Sequence, residues 1–288
     1  MVWNYKYAAA LLGEIGEMYK GDIVKDPLAD MFDKLAKARG EAREASEPTA
    51  LDHYEGQIKD GQAHGSGKMS MANGDVYEGM LSEGKAQGKG VYTYASGDMH
   101  TGEFIDGERN GLGLYERKDG SKHVGFWKDD KKHGLGVLVK SGGSICIGQW
   151  RDGELCGECT SMRSNGDQYE GLYKNGKRDG VGKLVWHNGN MYEGGWKDGK
   201  RDGVGKMVWH NGDMYEGGWK DGKRDGVGKM VWHNGDMYEG GWKDGKRDGV
   251  GKMVRHNGNM YDTKVVGIRK MGSCTVTEFA LTPLAQRR

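Results

Sequence analysis

Apolar and polar positions along most of this chain alternate at period two, inside a larger fixed period. From Tyr192 the residues read YEGGWKDGKRDGVGKMVWHNGDM, and the same twenty-three follow from Tyr215. The next copy, Tyr238 to Met260, departs only at Arg255 and Asn259, where the earlier ones carry Trp and Asp. Tyr192, Gly194 and Trp196 share one side of an extended segment. Val204, Lys206, Val208 and His210 share one side of a second segment. Asn211-Gly212 between two strand-like runs predicts a tight type I′ hairpin turn, and Lys197 to Gly203 a longer, glycine-bearing one. Each copy is therefore a β-hairpin, and hairpins in series make an antiparallel meander. The expected fold is all-β, one elongated antiparallel sheet of 23-residue hairpins.

Turn geometry sets an expected register. Pairing His210 with Asp213 places Val208 opposite Tyr215, Val204 opposite Trp219 and Trp209 opposite Met214. One face then carries Tyr, Trp and two Val per copy, and the other Met207, Trp209 and Met214. Apolar content on both faces predicts cover by curling, by terminal segments or by a partner.

The period runs in phase from Tyr54. Its first position reads Tyr54, Tyr77, His100, His123, Cys146, Tyr169, Tyr192, Tyr215 and Tyr238. Glycine follows two residues later throughout, as at Gly171, Gly194, Gly217 and Gly240. The fifth position is large and apolar or aromatic, including Trp127, Trp150, Tyr173, Trp196, Trp219 and Trp242. A Gly-x-Gly pair closes the long turn in most copies, as at Gly203/Gly205 and Gly226/Gly228. The copy Cys146 to Gln168 departs most, with Cys159 replacing the second of those glycines; a softer joint between two halves is one reading of it.

This pattern resembles the MORN repeat (membrane occupation and recognition nexus), over residues 54–260 and nine units. The resemblance implies an elongated, twisted antiparallel sheet that acts as a scaffold or dimerisation module, in some proteins beside catalytic domains. It also implies cytoplasmic settings, including cytoskeleton, cilium or membrane surface. The repeats of plant-type phosphatidylinositol 4-phosphate 5-kinases and of a SET-domain lysine methyltransferase are similar. A regulatory role of that kind would need catalytic sequence that residues 1–53 and 261–288 do not contain.

Outside the repeats, Asp26-Pro27 reads as a helix start, with Leu28, Met31, Phe32 and Leu35 at helical spacing. A helix from Pro27 to Ala45 is expected in the segment 1–53, capping the first strand. In 261–288, Lys264 to Ile268 and Cys274 to Phe279 alternate like strands and are expected to cap the far edge, before a short basic tail.

Composition narrows the function. The 288 residues carry a formal net charge of +1 and 53 glycines, and that balance argues against nucleic acid as the partner. Four cysteines do not make a secreted disulfide framework, no secretory signal is visible, and no run approaches the roughly 18 apolar residues that span a bilayer. His187, His210, His233 and His256 recur once per two strands, about 9–10 Å apart, too far to share a metal ion. Cys156-x-x-Cys159 has no second ligand pair. No phosphate loop, kinase signature or nucleophile elbow is present, so no enzyme, cofactor, metal or small-molecule substrate is expected.

The remaining classes are binding classes. The first is a protein-binding or self-associating scaffold whose sheet presents Trp186, Met207, Trp209, Met230 and Trp232, residue types enriched in interfaces. In this reading Tyr169, Gly171, Tyr192, Gly194, Trp196, Tyr215, Gly217, Trp219, Tyr238, Gly240 and Trp242 are structural signature positions. The alternative is a peripheral module on anionic lipid or phosphoinositide. Each late unit balances Lys197, Lys200, Arg201 and Lys206 against Glu193, Asp198, Asp202 and Asp213, which leaves little to attract a membrane.

Overall fold

The computed structural model describes residues 53–265 and 281–283, and they are β throughout. Among the described residues the fold is an antiparallel meander and no helix occurs; the expected helical cap, Pro27 to Ala45, lies outside them. The chain forms two compact units divided between Glu154 and Leu155, inside the divergent copy Cys146 to Gln168. Among the described residues the first holds nine strands, from β1 (His53–Lys59) to β9 (Ile145–Arg151), alternately seven and nine residues long. The second opens with β10 (Glu154–Met162) and continues through β11 (Gln168–Lys174), β12 (Lys177–Val185), β13 (Met191–Lys197), β14 (Lys200–Val208) and β15 (Met214–Lys220). It goes on through β16 (Lys223–Val231), β17 (Met237–Lys243), β18 (Lys246–Val254) and β19 (Met260–Val265). A three-residue strand, β20 (Leu281–Pro283), pairs with β19. Residues 274–279, expected there as a strand, lie outside the described residues.

The two turns exchange the roles that the sequence suggested. The two-residue type I′ turn is Asp198-Gly199, with φ of 47° and 82° and Lys197 paired to Lys200. At Asn211-Gly212 the loop has three residues. Gly212 N–H donates to Trp209 O and Trp209 N–H to Asp213 O, both at 2.9 Å, and Gly212 alone turns left-handed, at φ 89°. That is a type I turn followed by a glycine bulge, and the Asn211 side-chain Oδ1 accepts the Asp213 N–H at 3.1 Å. The register therefore moves by one residue: Met207 faces Tyr215, Val208 faces Met214 and Gly203 faces Trp219. Because side chains alternate faces, this slip moves Met207 to the Tyr and Trp face and turns Val204 and Val208 away from it.

The Tyr and Trp face supplies the core. Tyr192, Tyr215 and Tyr238 are fully buried, although the described sheet there is one layer thick. Each ring lies over a pair of facing glycines; for Tyr192 they are Gly194 and Gly205. A methyl group added at Gly205 would fall on the Tyr192 ring and hydroxyl. Tyr192 Oη donates to Gly195 O at 2.9 Å, and Tyr215 Oη to Gly218 O at 2.9 Å. A second irregularity, between Gly194 and Trp196, sets the strand past this contact, with Gly203 opposite at φ 86°.

Two copies in the first unit place histidine where all the others but the Cys146 copy have tyrosine. His100 and His123 are buried, and none of their ring nitrogens has a hydrogen-bond partner. Phe104, Tyr115 and Trp127 surround His100, while Trp127 and Trp150 meet the His123 ring edge-on. Burial pushes both rings down to about 3, helped by Arg109 for His100 and by Lys132 and His100 for His123, while Asp130 opposes the shift at His100.

The core can be tested at its glycines and at its histidines. Gly205→Ala should destabilise the second unit by about 1–3 kcal/mol through overpacking, read as a lowered denaturant midpoint at unchanged slope. The histidines are neutral when folded and take up protons more readily when unfolded. Their contribution is thus complete above about pH 6.5 and is lost as the pH falls toward 3. Thermal melts across that window should show a fall in stability that His100→Tyr with His123→Tyr reduces; equal falls in both proteins would refute the assignment.

Candidate interaction faces

The signature residues build the core and are not an exposed site. Trp196 meets Tyr169 and Tyr192 edge-on at 5.4 and 5.2 Å, and Trp219 meets Tyr192 and Tyr215 at 5.2 and 5.3 Å. Trp242 continues the series with Tyr215 and Tyr238. The indole N–H groups of Trp196, Trp219 and Trp242 donate to Gly182, Gly205 and Gly228 carbonyls at 3.0–3.1 Å. Arg201 and Arg224 cover Trp219 and Trp242 at 4.3 and 4.2 Å. Their guanidinium groups then donate to Gly222 O and Gly245 O. Burial raises the Tyr192 and Tyr215 hydroxyls to about 12, so they stay protonated as donors at neutral pH. Gly171, Gly194, Gly217 and Gly240 each face a glycine on the next strand.

The five residues expected to face a partner divide into two groups. Met207 and Met230 are inside, at 4% and 5% exposure. Trp186, Trp209 and Trp232 are half-buried against the same aromatic cluster, one per repeat, beside the three-residue loops. Next to each the loops are linked in series. Asp213 accepts the His233 backbone N–H at 2.8 Å and lies 3.0 Å from its ring Nδ1, and Asp167 and His187 repeat the arrangement. Asp236 does the same with His256, and its carboxyl is held at about 2 by that backbone N–H and by Arg255. Those histidines tie neighbouring loops together, at the edge where the three Trp side chains sit.

The opposite face was hidden by the expected register. Three rows cross β11 to β18 on it. In the first, Val185, Met191, Val208, Met214, Val231, Met237 and Val254 are successive register partners. The second alternates in sign, running Glu170, Lys183, Glu193, Lys206, Glu216, Lys229, Glu239 and Lys252. All eight are exposed, and none is in an ion pair among the described residues. In the third, Val181, Val204 and Val227 face Gly195, Gly218 and Gly241, and the valines are 67–75% exposed. One-residue offset pairing puts Lys206 against Gly217, which is why the sequence did not show the charged row. In the first unit the same row reads Thr101, Leu114, Val124, Val137 and Ile147, and Leu114, Val124 and Val137 are buried.

Among the described residues no three His, Cys, Asp or Glu side chains gather as metal ligands. No described helix is long and apolar enough to cross a membrane. No curated protein matches the chain. Among solved structures it is similar to the TCP10 domain of Danio rerio CPAP in complex with a peptide of Danio rerio STIL. That match has 11% identity and a TM-score of 0.41, and covers 79% of this chain and 99% of that one. It is also similar to the SAS-4 (dCPAP) TCP domain in complex with a proline-rich motif of Ana2 of Drosophila melanogaster. Here identity is 13% and the TM-score 0.26, with 76% of this chain and 96% of that one covered. A third match is virginiamycin B lyase from Staphylococcus aureus, at 10% identity and a TM-score of 0.16, covering 72% and 73%. Likenesses this distant carry no functional weight. The MORN repeat model matches nine consecutive segments, from 54–76 to 238–260, and the chain belongs to the MORN-repeat family.

Proposed function

We propose that this chain is a non-catalytic repeat scaffold that takes a protein partner along the loop edge of its second unit. The observation that carries the reading is the column of Trp186, Trp209 and Trp232, half-buried at one site per repeat. Two strands per repeat place them about 9–10 Å apart, a spacing that suits an elongated partner better than a small molecule. Each indole is anchored on one side by the core and open on the other, so binding orders little that is not already ordered. Met207 and Met230 support this edge from beneath and make no contact with the partner in this reading.

Anionic membrane is the competing ligand, and the charges at the Asp-Gly turns weigh against it. Lys200 pairs with Asp221 at 3.2 Å and Lys223 with Asp244 at 3.0 Å, so the basic side chains at those tips are matched by acids. Exposed pairs of this kind add little stability, but they remove the local positive excess that an acidic leaflet would attract.

Two measurements separate these readings. Trp209→Ser with Trp232→Ser should abolish capture of specific proteins by the full chain, while the far-ultraviolet spectrum stays that of a β protein. Retained capture by a folded variant would end the proposal. Phosphatidylcholine vesicles containing phosphatidylserine or a phosphoinositide should not co-sediment the chain at low ionic strength; co-sedimentation would put the lipid reading in its place.

A further inference from the structure

The outer face of the second unit is complementary to itself. We infer that it docks a second copy of this chain face to face, about a two-fold axis parallel to the strands and midway between β14 and β15. This surface lies on the side of the sheet opposite the aromatic core, and the inference stands apart from the partner edge proposed above.

Parity along the rows selects this arrangement. Lys206 and Glu216 are neighbours across that axis, as are Val204 and Gly218, and Val208 and Met214. A two-fold rotation there brings β14 of one copy over β15 of the other. Lys206 then meets the partner's Glu216, and Val204 comes over the backbone at the partner's Gly218. The same rotation carries β13 over β16 and β12 over β17. Glu193 meets the partner's Lys229 and Lys183 the partner's Glu239, while Val181 and Val227 come over the partner's Gly241 and Gly195. At the ends, β11 and β18 bring Glu170 to the partner's Lys252. Every charge in the row meets its opposite, and these valines meet glycines. A two-fold axis along the row instead would oppose like charges throughout, so the pattern admits one of the two orientations.

Three further observations support this occupant. The charged side chains are exposed and make no ion pair among the described residues, so none must be broken on docking. The valine column, 67–75% exposed at Val181, Val204, Val227 and Val250, places one exposed apolar side chain per repeat, with glycine between, on the side away from the buried aromatics. Eight strands at about 4.8 Å, with three rows spanning roughly 20 Å, offer roughly 700 Å² per copy, which is the size of a standard specific interface. Sheets packed this way keep their strands within about 30° of one another, an angle that the two-fold axis permits. A membrane is not favoured, because the row sums to zero.

The test is a charge exchange on the full chain, read as mass in solution by light scattering and sedimentation. Lys183→Glu, Lys206→Glu and Lys229→Glu together make the row acidic across β12 to β17. Glu193→Lys, Glu216→Lys and Glu239→Lys make the same stretch basic. The unaltered chain should show twice the single-chain mass, each variant alone the single-chain mass, and the mixture twice again. A single-chain mass for the unaltered protein, association of either variant alone, or failure of the mixture to pair would each overturn the inference. Because like-charged rows strain the sheet itself, Val204→Ser with Val227→Ser is the companion variant. It should keep the β spectrum and weaken association by more than roughly tenfold; unchanged association would also overturn the inference. Trp209→Ser with Trp232→Ser should leave the mass unchanged, so loss of the partner edge and loss of the pairing face are read separately.

Discussion

A tyrosine ring laid over two facing glycines is the contact on which the second unit of this protein depends. A single-layer sheet has no second layer to bury its side chains against, so the ring must be buried against backbone. Only glycine on both strands lets the backbone come close enough, as Gly194 and Gly205 do beneath Tyr192. The hydroxyl then reaches the carbonyl at the irregularity of its own strand, and the next tryptophan closes the ring edge-on. Repeating this from Tyr192 to Trp242 gives a continuous column in which each buried tyrosine hydroxyl and each core indole N–H has a partner. His100 and His123 keep the shape of that column and lose its hydrogen bonds, so the same contact becomes sensitive to protons in the first unit.

The consequence for function is a division of labour between faces. Core residues recur most regularly and are the least available for binding. Available apolar groups are the edge indoles, which are half inside, and the outer valines, which the core does not need. Charge follows the same division. Arg201 and Arg224 cover indoles and the turn lysines pair with neighbouring aspartates, whereas the Glu and Lys of the outer row have no such role.

The two units show how little the hairpin itself dictates on that outer side. Positions that alternate Glu and Lys in the second unit are Leu114, Val124 and Val137 in the first, with the backbone pairing unchanged. The meander tolerates either, because neither set touches the tyrosine-glycine contact. This face is therefore buried at those positions in the first unit and exposed at the Glu and Lys of the second.

Much of this was legible in the chain. The 23-residue period, two strands per copy, the Tyr-x-Gly-x-Trp order and the absence of proline from the repeats all reflect backbone chemistry that acts over a few residues. Which side chains share a face was not legible, because Asp198-Gly199 and Asn211-Gly212 both satisfy the local rule for a two-residue hairpin. Choosing the wrong one displaces the ladder by a single residue, and at period two that exchanges the faces. The choice is made by contacts between strands: Tyr192 is seated only where Gly194 meets Gly205, a pairing closed by the short turn at Asp198, while the three-residue loop at Asn211 sets Gly205 against Gly217. Sequence alone thus determined the repeat and its strands, while the tertiary structure decided which half of each strand is core and which is surface. Turn propensity is local, and the burial that outweighs it is not.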